Sequence, residues 1–392
     1  MPDPQKHTHL RKNLQIQWDE LAKTYLPQRR DTISGMPCQS KAPENIPTLD
    51  HWHPLRYAAL EIAFKNLIIT KYNSGENMWI ADQWKEYTVL DTSDGEKLEN
   101  WAGYTLIRPD PQVIWSSKKK PAGWRRPNAH YHRSAKGGGE WEFFDLPETW
   151  ELHYLLGDSL PLPGEAAENA AEAVSSYNIT FHLKPFAFKH TGVFPEQAAN
   201  WDWSYRLIRE RLSASGPDNP VRVLNLFAYT GGATLAAAAA GAEVTHVDAA
   251  KGMVSWAKEN AVSSGLGDAH IRWLVDDCRK FVEREIRRGN TYDAIIMDPP
   301  SYGRGPKGEI WKIEESIYPF LELCTGVLSD KPLFVLINSY TTGLQAGVLK
   351  YMLELAVGSR FGGSAEADEL GLPVGNSGLL LPAGASGRWT AG

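Results

Sequence analysis

Two segments of the chain combine residue types and spacings suited to binding a nucleoside and presenting a planar acceptor to it. In the first, Val221-Arg-Val-Leu-Asn-Leu-Phe-Ala-Tyr-Thr-Gly-Gly-Ala-Thr-Leu235 runs an apolar strand into a Gly-ended turn and an Ala-rich helix, and Asp248 follows at the end of the next strand. Gly231 and Gly232 leave room for backbone to approach a ligand, and a carboxylate roughly 20 residues on is placed to bind both ribose hydroxyls. A dinucleotide site needs G-x-G-x-x-G so that a pyrophosphate can sit on the helix N-terminus. Phe227-Ala-Tyr-Thr-Gly-Gly232 instead keeps bulky side chains where a diphosphate would lie. A methionine-bearing nucleoside has no phosphate, so the expected ligand is S-adenosylmethionine. The plain structural alternative is a tight βα turn with a chance acid after it.

In the second segment, Tyr292-Asp-Ala-Ile-Ile-Met-Asp-Pro-Pro-Ser-Tyr302, an apolar run stops at Asp298-Pro-Pro. This reads as a buried parallel strand ending abruptly, where two prolines fix the backbone and remove two amide donors. Asp298 and neighbouring carbonyls, rigidified by Pro299, can accept hydrogen bonds from an amino group. Tyr302 is placed to stack on a base drawn out of its helix. A strand terminator with an N-cap acid is the alternative for this motif taken alone. Downstream, Gly303-Arg-Gly-Pro-Lys-Gly308 lacks the order of a P-loop and reads as a flexible lid, with Arg304 and Lys307 near substrate phosphate or simply solvated and Trp311 packed beneath.

These residues need rigid elements behind them. Strands are expected near 221–227, 243–248, 271–275, 292–298 and 332–338, alternating with helices, so right-handed crossovers and a parallel sheet follow. Ligands bind at the carboxyl ends of such strands, which is where Phe227–Gly232, Asp248, Asp277 and Asp298 fall. A helix is expected from Thr341 to about Val357, and an antiparallel pair at Ala365–Leu370 and Ser377–Leu381.

Upstream, residues 1–76 read as a leader with helical stretches near Leu14–Tyr25 and His51–Thr70. Residues 77–188 read as a β-rich substrate-recognition domain with runs at Tyr87–Leu90, Tyr104–Ile107 and Gln112–Trp115. Gly157–Tyr177 reads as an inserted loop or short helix. The last zone, 189–392, is the α/β domain. Net charge is −6 over 392 residues, which argues against general adhesion to nucleic acid but not against a local basic surface. Such a surface is foreshadowed by Trp115-Ser-Ser-Lys-Lys-Lys120, Trp124-Arg-Arg126, His130 to Arg133, Lys136 and Trp141, since cations among aromatics suit phosphates and unpaired bases. A solvated loop anchored by its tryptophans is the alternative. Three cysteines make neither a disulfide framework nor a metal pattern, and no apolar run approaches a membrane span. A cytoplasmic protein without a membrane partner or secretory signal is expected.

The chain resembles the class I S-adenosylmethionine-dependent methyltransferases and, within them, the group related to bacterial large-subunit rRNA methyltransferases. Asn225–Gly232, Val247–Met253 with Trp256–Asn260, Asp276-Asp-Cys278, Asp298–Tyr302 and Lys189–Gln197 carry the likeness, over roughly residues 180–390. It implies an α/β fold: a doubly wound, mostly parallel seven-stranded sheet with a smaller β-rich N-terminal domain. It also implies that the loop from Phe194 to Gln197 closes over the cofactor, and that the turn Phe227, Tyr229, Thr230, Gly231 holds its methionine end. Asp248 takes the ribose, Asp277 and Cys278 border the adenine, and Asp298 faces the transferred methyl. Relatives that methylate carbon-5 of cytosine need a thiolate, and their cysteine follows the fifth strand; here Pro332–Asn338 leads into Ser339-Tyr340, while Cys324 falls in an amphipathic segment as a small buried residue. The expected activity is therefore methylation of a base nitrogen in RNA, plausibly ribosomal. A protein or small-molecule acceptor, or a non-catalytic cofactor- or RNA-binding scaffold, are the alternatives.

Overall fold

The computed structural model describes residues 78–392 except 119–120, 135–137, 158–175, 187, 217–218, 305–309 and 342. The leader helices, Cys38 and most of the expected insertion lie outside the described residues.

The apolar runs behind both motifs become the centre of one sheet. Strands β1 (Met78–Ile80), β2 (Tyr87–Ser93), β3 (Glu96–Trp101), β4 (Tyr104–Pro109), β5 (Ala129–Arg133), β6 (Gly139–Phe143), β7 (Trp150–Leu156) and β8 (Tyr177–Leu183) come first. Helix α1 (Ala198–Ser215) then leads into β9 (Arg222–Leu226), α2 (Gly232–Ala239), β10 (Glu243–Asp248), α3 (Lys251–Ser263), β11 (Ile271–Val275), α4 (Cys278–Arg288) and β12 (Ala294–Met297). A short hairpin, β13 (Tyr302–Arg304) and β14 (Ile310–Lys312), precedes α5 (Ile313–Thr325), β15 (Phe334–Ser339), α6 (Ala346–Leu353), β16 (Ser364–Pro373) and β17 (Leu380–Thr390).

The large sheet has the order β1-β16-β17-β15-β12-β9-β10-β11, with β17 antiparallel to both neighbours and the remaining pairs parallel. Alternation along the strands divides the core. Val223, Val244, Ala294, Ile296, Phe334 and Leu336 share one cluster with Ile208 of α1 and Leu235 of α2. Their chain neighbours Leu224, Val247, Ile295, Met297, Val335 and Ile337 share the other with Phe281 of α4, Phe320 of α5 and Leu349 of α6. A strand buried on both faces needs a nearly continuous apolar run, which β12 (Ala-Ile-Ile-Met) supplies in full, while β9 and β10 bury Asn225 and His246, both hydrogen-bonded to Thr234.

The described sheet has eight strands, where seven were expected, because Met78–Ile80 pairs in parallel with Glu369–Gly371 and covers what would be an open edge. Arg388 of β17 fixes this strand: its guanidinium lies 3.6 Å from the centroid of the Trp79 ring and 4.9 Å from that of Trp203 on α1. The closing pair also differs from expectation. Ser377 lies in the turn, and the second strand runs far beyond Leu381, to Thr390. Its Pro-Ala-Gly-Ala-Ser-Gly stretch looks like a loop, but the small residues are dictated by close neighbours. A Cβ on Gly384 would lie 2.9 Å from the Tyr340 ring, and one on Gly387 2.9 Å from Leu353.

Upstream, β2-β3-β4-β5-β6 form a second sheet and β7-β8 a hairpin. Gln112–Trp115 is not a strand. It pairs irregularly with the tight β2–β3 turn, Gly95 N–H donating to Val113 O and Asp94 N–H to Trp115 O, each at 2.8 Å; Val113 is buried and Ile114 exposed. The described residues belong to one compact unit whose core runs from the β-rich half under α1 and α2. The α3 side chains Asn260 and Ser264 stitch the two halves by accepting the His182 and Thr180 N–H groups of β8. Among the described residues no helix is long and apolar enough to cross a membrane.

Candidate active site

The turn after β9 is held more tightly than its sequence discloses. Phe227 (φ +55°) and Tyr229 (φ +50°) are both left-handed, a costly conformation away from glycine. Neighbouring strand ends hold them there: Phe227 N–H donates to Cys278 Sγ (3.3 Å), Ala228 N–H to Val247 O (3.1 Å) and Tyr229 N–H to Asp248 Oδ2 (2.9 Å). Thr230 donates its hydroxyl to Gly192 O and accepts Asn260 Nδ2 on its carbonyl, joining the turn to the 190s loop and α3. These amides are therefore spent on the protein. Gly232 and Ala233, whose N–H groups lack helical acceptors at the start of α2, are among the residues that line a small cavity.

The two glycines have different duties from those the spacing suggests. Gly231 is left-handed (φ +90°) and caps α2, and a Cβ there would sit 3.0 Å from Ala257 Cβ. A Cβ on Gly232 would lie 2.5 Å from the Trp201 indole of α1, so that position is emptied for a tryptophan rather than for a ligand.

Asp248 ends β10 and accepts two backbone N–H groups, from Tyr229 and from Ala250 (2.8 Å to Oδ1). Burial pushes its carboxyl above the usual range, and the two donors oppose the shift. Asp277 caps α4 by accepting Lys280 N–H at 2.9 Å. Cys278 is buried in the core beneath the strand ends, where burial raises its thiol and Phe227 N–H holds it. The groups named for an adenosine site thus cluster at the ends of β9, β10 and β11, each already organising a turn.

Asp298 follows β12 beside the small cavity, of about 50 Å³, that Phe194, Gln197, Asn225, Phe227 and Tyr229 also line. Burial, with the nearby charge of Glu196 second, pushes its carboxyl up to about 7. A carboxyl poised there can give or take a proton near neutrality. The Tyr229 hydroxyl is buried and lacks a hydrogen-bond partner within the described residues, an unused polar atom on a residue that lines the cavity. Pro299 is buried and Pro300 exposed; the Pro300 carbonyl accepts the Trp311 indole N–H (2.6 Å), which ties the strand end to the following hairpin. Tyr302 stands on that hairpin, 52% exposed, and lines neither this cavity nor the larger cleft beside it.

Two residues that sequence reasoning did not assign complete the site. Tyr340, directly after β15, has its ring 5.5 Å from that of Phe194, which lies 5.5 Å from Tyr229; its hydroxyl accepts Gln197 Nε2 at 2.7 Å. Gln197 is buried, and its carbonyl accepts Asn200 Nδ2 at 2.9 Å, so its amide serves a network that reaches Asn338, Ser386 and Arg388. Glu196, buried in the turn before α1, has its carboxyl raised chiefly by burial. The signal for both was position: Glu196 inside the Phe194–Gln197 motif and Tyr340 where some relatives carry cysteine. Glu196 and Tyr340 face a cleft of about 460 Å³ between the β-rich half and the β15 and β17 ends. The described cysteines, 278 and 324, are buried and line neither space, and no cluster of metal ligands occurs among the described residues.

The basic aromatic segment is only partly free. Trp115 donates to Thr92, Trp124 to Asp91, and Trp141 to the Phe186 and Phe188 carbonyls, so these indoles anchor it. His130 and His132 each contact a glutamate, at 2.6 and 2.8 Å. Lys119, Lys120 and Lys136 lie outside the described residues.

Comparison with known proteins agrees with this geometry. The S-adenosylmethionine-dependent methyltransferase family matches residues 183–311. The crystal structure of a SAM-dependent methyltransferase from Agrobacterium tumefaciens is 34% identical, covering 81% of this chain and 97% of its own, with a TM-score of 0.69. A candidate methyltransferase solved with SAH is 18% identical with a TM-score of 0.53, a likeness of fold alone. A ribosomal RNA large subunit methyltransferase K/L from Pseudoalteromonas translucida is 30% identical over 143 residues, and one from Shewanella baltica 32% over 136. The matched part is only 18% and 17% of the length of those curated relatives.

Proposed function

The protein belongs to the S-adenosylmethionine-dependent methyltransferases, and from that premise we propose that it methylates a ring or exocyclic nitrogen of an RNA base, with ribosomal RNA as the substrate class. The observation that carries the nitrogen is Asp298, a carboxyl raised to about 7 beside the strand-end cavity, which no thiol among the described residues lines. A nitrogen needs no covalent activation, only alignment, exclusion of water and a place for its proton. RNA is supported by the relatives' names over the shared third of the chain.

Bound cofactor supplies an electrophilic methyl on a sulfonium. Asp248 would hold the ribose, Tyr229 and the start of α2 the methionine end, and Asp277 with the Cys278 backbone would border the adenine. Ionised Asp298 would take the proton that the acceptor nitrogen gives up on methylation. Phe194 and Tyr340 cover the acceptor. Transfer of radiolabelled methyl from S-adenosylmethionine into undermodified total RNA tests the reading. Protease-resistant label in RNA, recovered as an N-methylated base after digestion, is expected. Label confined to protein or small molecules would move the acceptor to those classes, and cofactor binding without turnover would leave a scaffold.

A further inference from the structure

The 460 Å³ cleft is lined by a cation with which no carboxylate among the described residues forms an ion pair. At its β-rich wall, Lys97 Nζ lies 3.4 Å from both Glu99 and Asp110, and Arg108 holds Glu99 through two contacts of 2.6 and 2.8 Å. Two cations and two carboxylates cancel there. Lys189 remains. Its ammonium donates to Pro109 O (2.9 Å), which leaves two N–H groups, and no carboxylate among the described residues lies within 4.0 Å. Arg108 donates to the Lys189 carbonyl at 2.9 Å and so fixes the backbone beneath it.

The surroundings agree. Burial first, then Lys97, lowers Lys189 to about 8, whereas Lys97, with its two carboxylates, is raised despite its burial. Neighbouring His190 is kept neutral by burial and Arg108, falling to about 4. Glu196, which also lines the cleft, has its carboxyl raised chiefly by burial. An ammonium with spare donors at a cleft wall is stabilised by an incoming anion. Apolar surface adjoins it on the same loop, where Phe186 and Phe188 are 36% and 62% exposed. Phosphate beside planar rings is the chemistry of a nucleotide strand.

We propose that Lys189 binds a backbone phosphate next to the acceptor base, while Phe188 takes a neighbouring unpaired base on its exposed ring. The nature of the strand rests on the RNA reading; the anion site itself does not. The test uses the full chain saturated with S-adenosylhomocysteine, so that the adenosine site is filled. Single-stranded hexauridylate is titrated into wild type, Lys189→Met, Lys189→Arg and Phe188→Ala over a range of salt. Lys189→Met is expected to weaken binding about tenfold and to flatten log Kd against log salt by about 0.7, the share of one single-strand phosphate. Lys189→Arg should restore the slope. Phe188→Ala should weaken binding about tenfold with the slope unchanged. Unaltered affinity and slope in Lys189→Met, with S-adenosylhomocysteine binding intact, would overturn the proposal. Uridine 5′-monophosphate against uridine separates the two readings. A preference for the phosphate that vanishes in Lys189→Met, in a protein that never labels RNA, would keep the anion site and remove RNA.

Discussion

Glu99 and Asp298 are carboxyls withdrawn from water in the two halves of one molecule, and their proton affinities move in opposite directions. Burial alone would raise both. Glu99 sits against Arg108 and Lys97 and accepts the Tyr87 hydroxyl, and these partners hold it down to about 2. Asp298 has no cation among the described residues to offset its burial, and with Glu196 adding to the shift it is raised to about 7. The lesson concerns placement: a buried acid supplied with cations becomes a permanent part of the framework, and one denied them stays available for proton chemistry.

The sharpest way to break this comparison is Glu99→Gln. It leaves Arg108 buried against a neutral amide, so urea denaturation at pH 7 should show a loss of about 3–5 kcal/mol; a loss below about 1 kcal/mol would mean that the pair is not structural. Glu99 binds its proton more weakly folded than unfolded. Its stabilisation is therefore complete above about pH 4 and lost as pH falls towards 2, a limb that Glu99→Gln should lack. Next, Asp298→Asn should slow methyl transfer about a hundredfold with cofactor affinity retained. The wild-type rate should rise with pH through about 7, as the carboxyl ionises to accept the proton. The smallest effect has the opposite sign in stability. Asp298 is raised in the fold, so its contribution is present below about pH 4 and lost as pH rises through 7. Asp298→Asn should thus be more stable than wild type at pH 8 and equal to it at pH 4. Equal denaturation midpoints at pH 8 would show that Asp298 is better solvated than its burial implies.

The parallel strands and the acids at their ends were legible because buried strands demand apolar runs and a carboxylate ending one stands out. Residues that meet across long separations were not. Lys97 and Glu99 share a face of β3, and Lys97 faces Arg108 across the ladder, but only the fold sets Lys189 beside them. The length of the last strand was not legible either, since the small residues that its close neighbours demand at Gly384 and Gly387 have the composition of a loop. Tyr302 reads as a stacking residue because it follows Asp298-Pro-Pro, yet the hairpin carries it outward, and Tyr340, 42 positions after Asp298 in the numbering, faces the cleft instead.

The indole of Trp201 standing where Gly232 lacks a Cβ has a consequence for divergence among related chains. The two positions form a single lock: any lineage that acquires alanine or serine at 232 must first, or at once, exchange Trp201 for a smaller ring or an aliphatic side chain, because the indole edge would otherwise lie 2.5 Å from the new carbon. Substitutions at these sites should therefore be inherited in pairs, and a chain carrying the bulky partner at both should be missing from the record of descent.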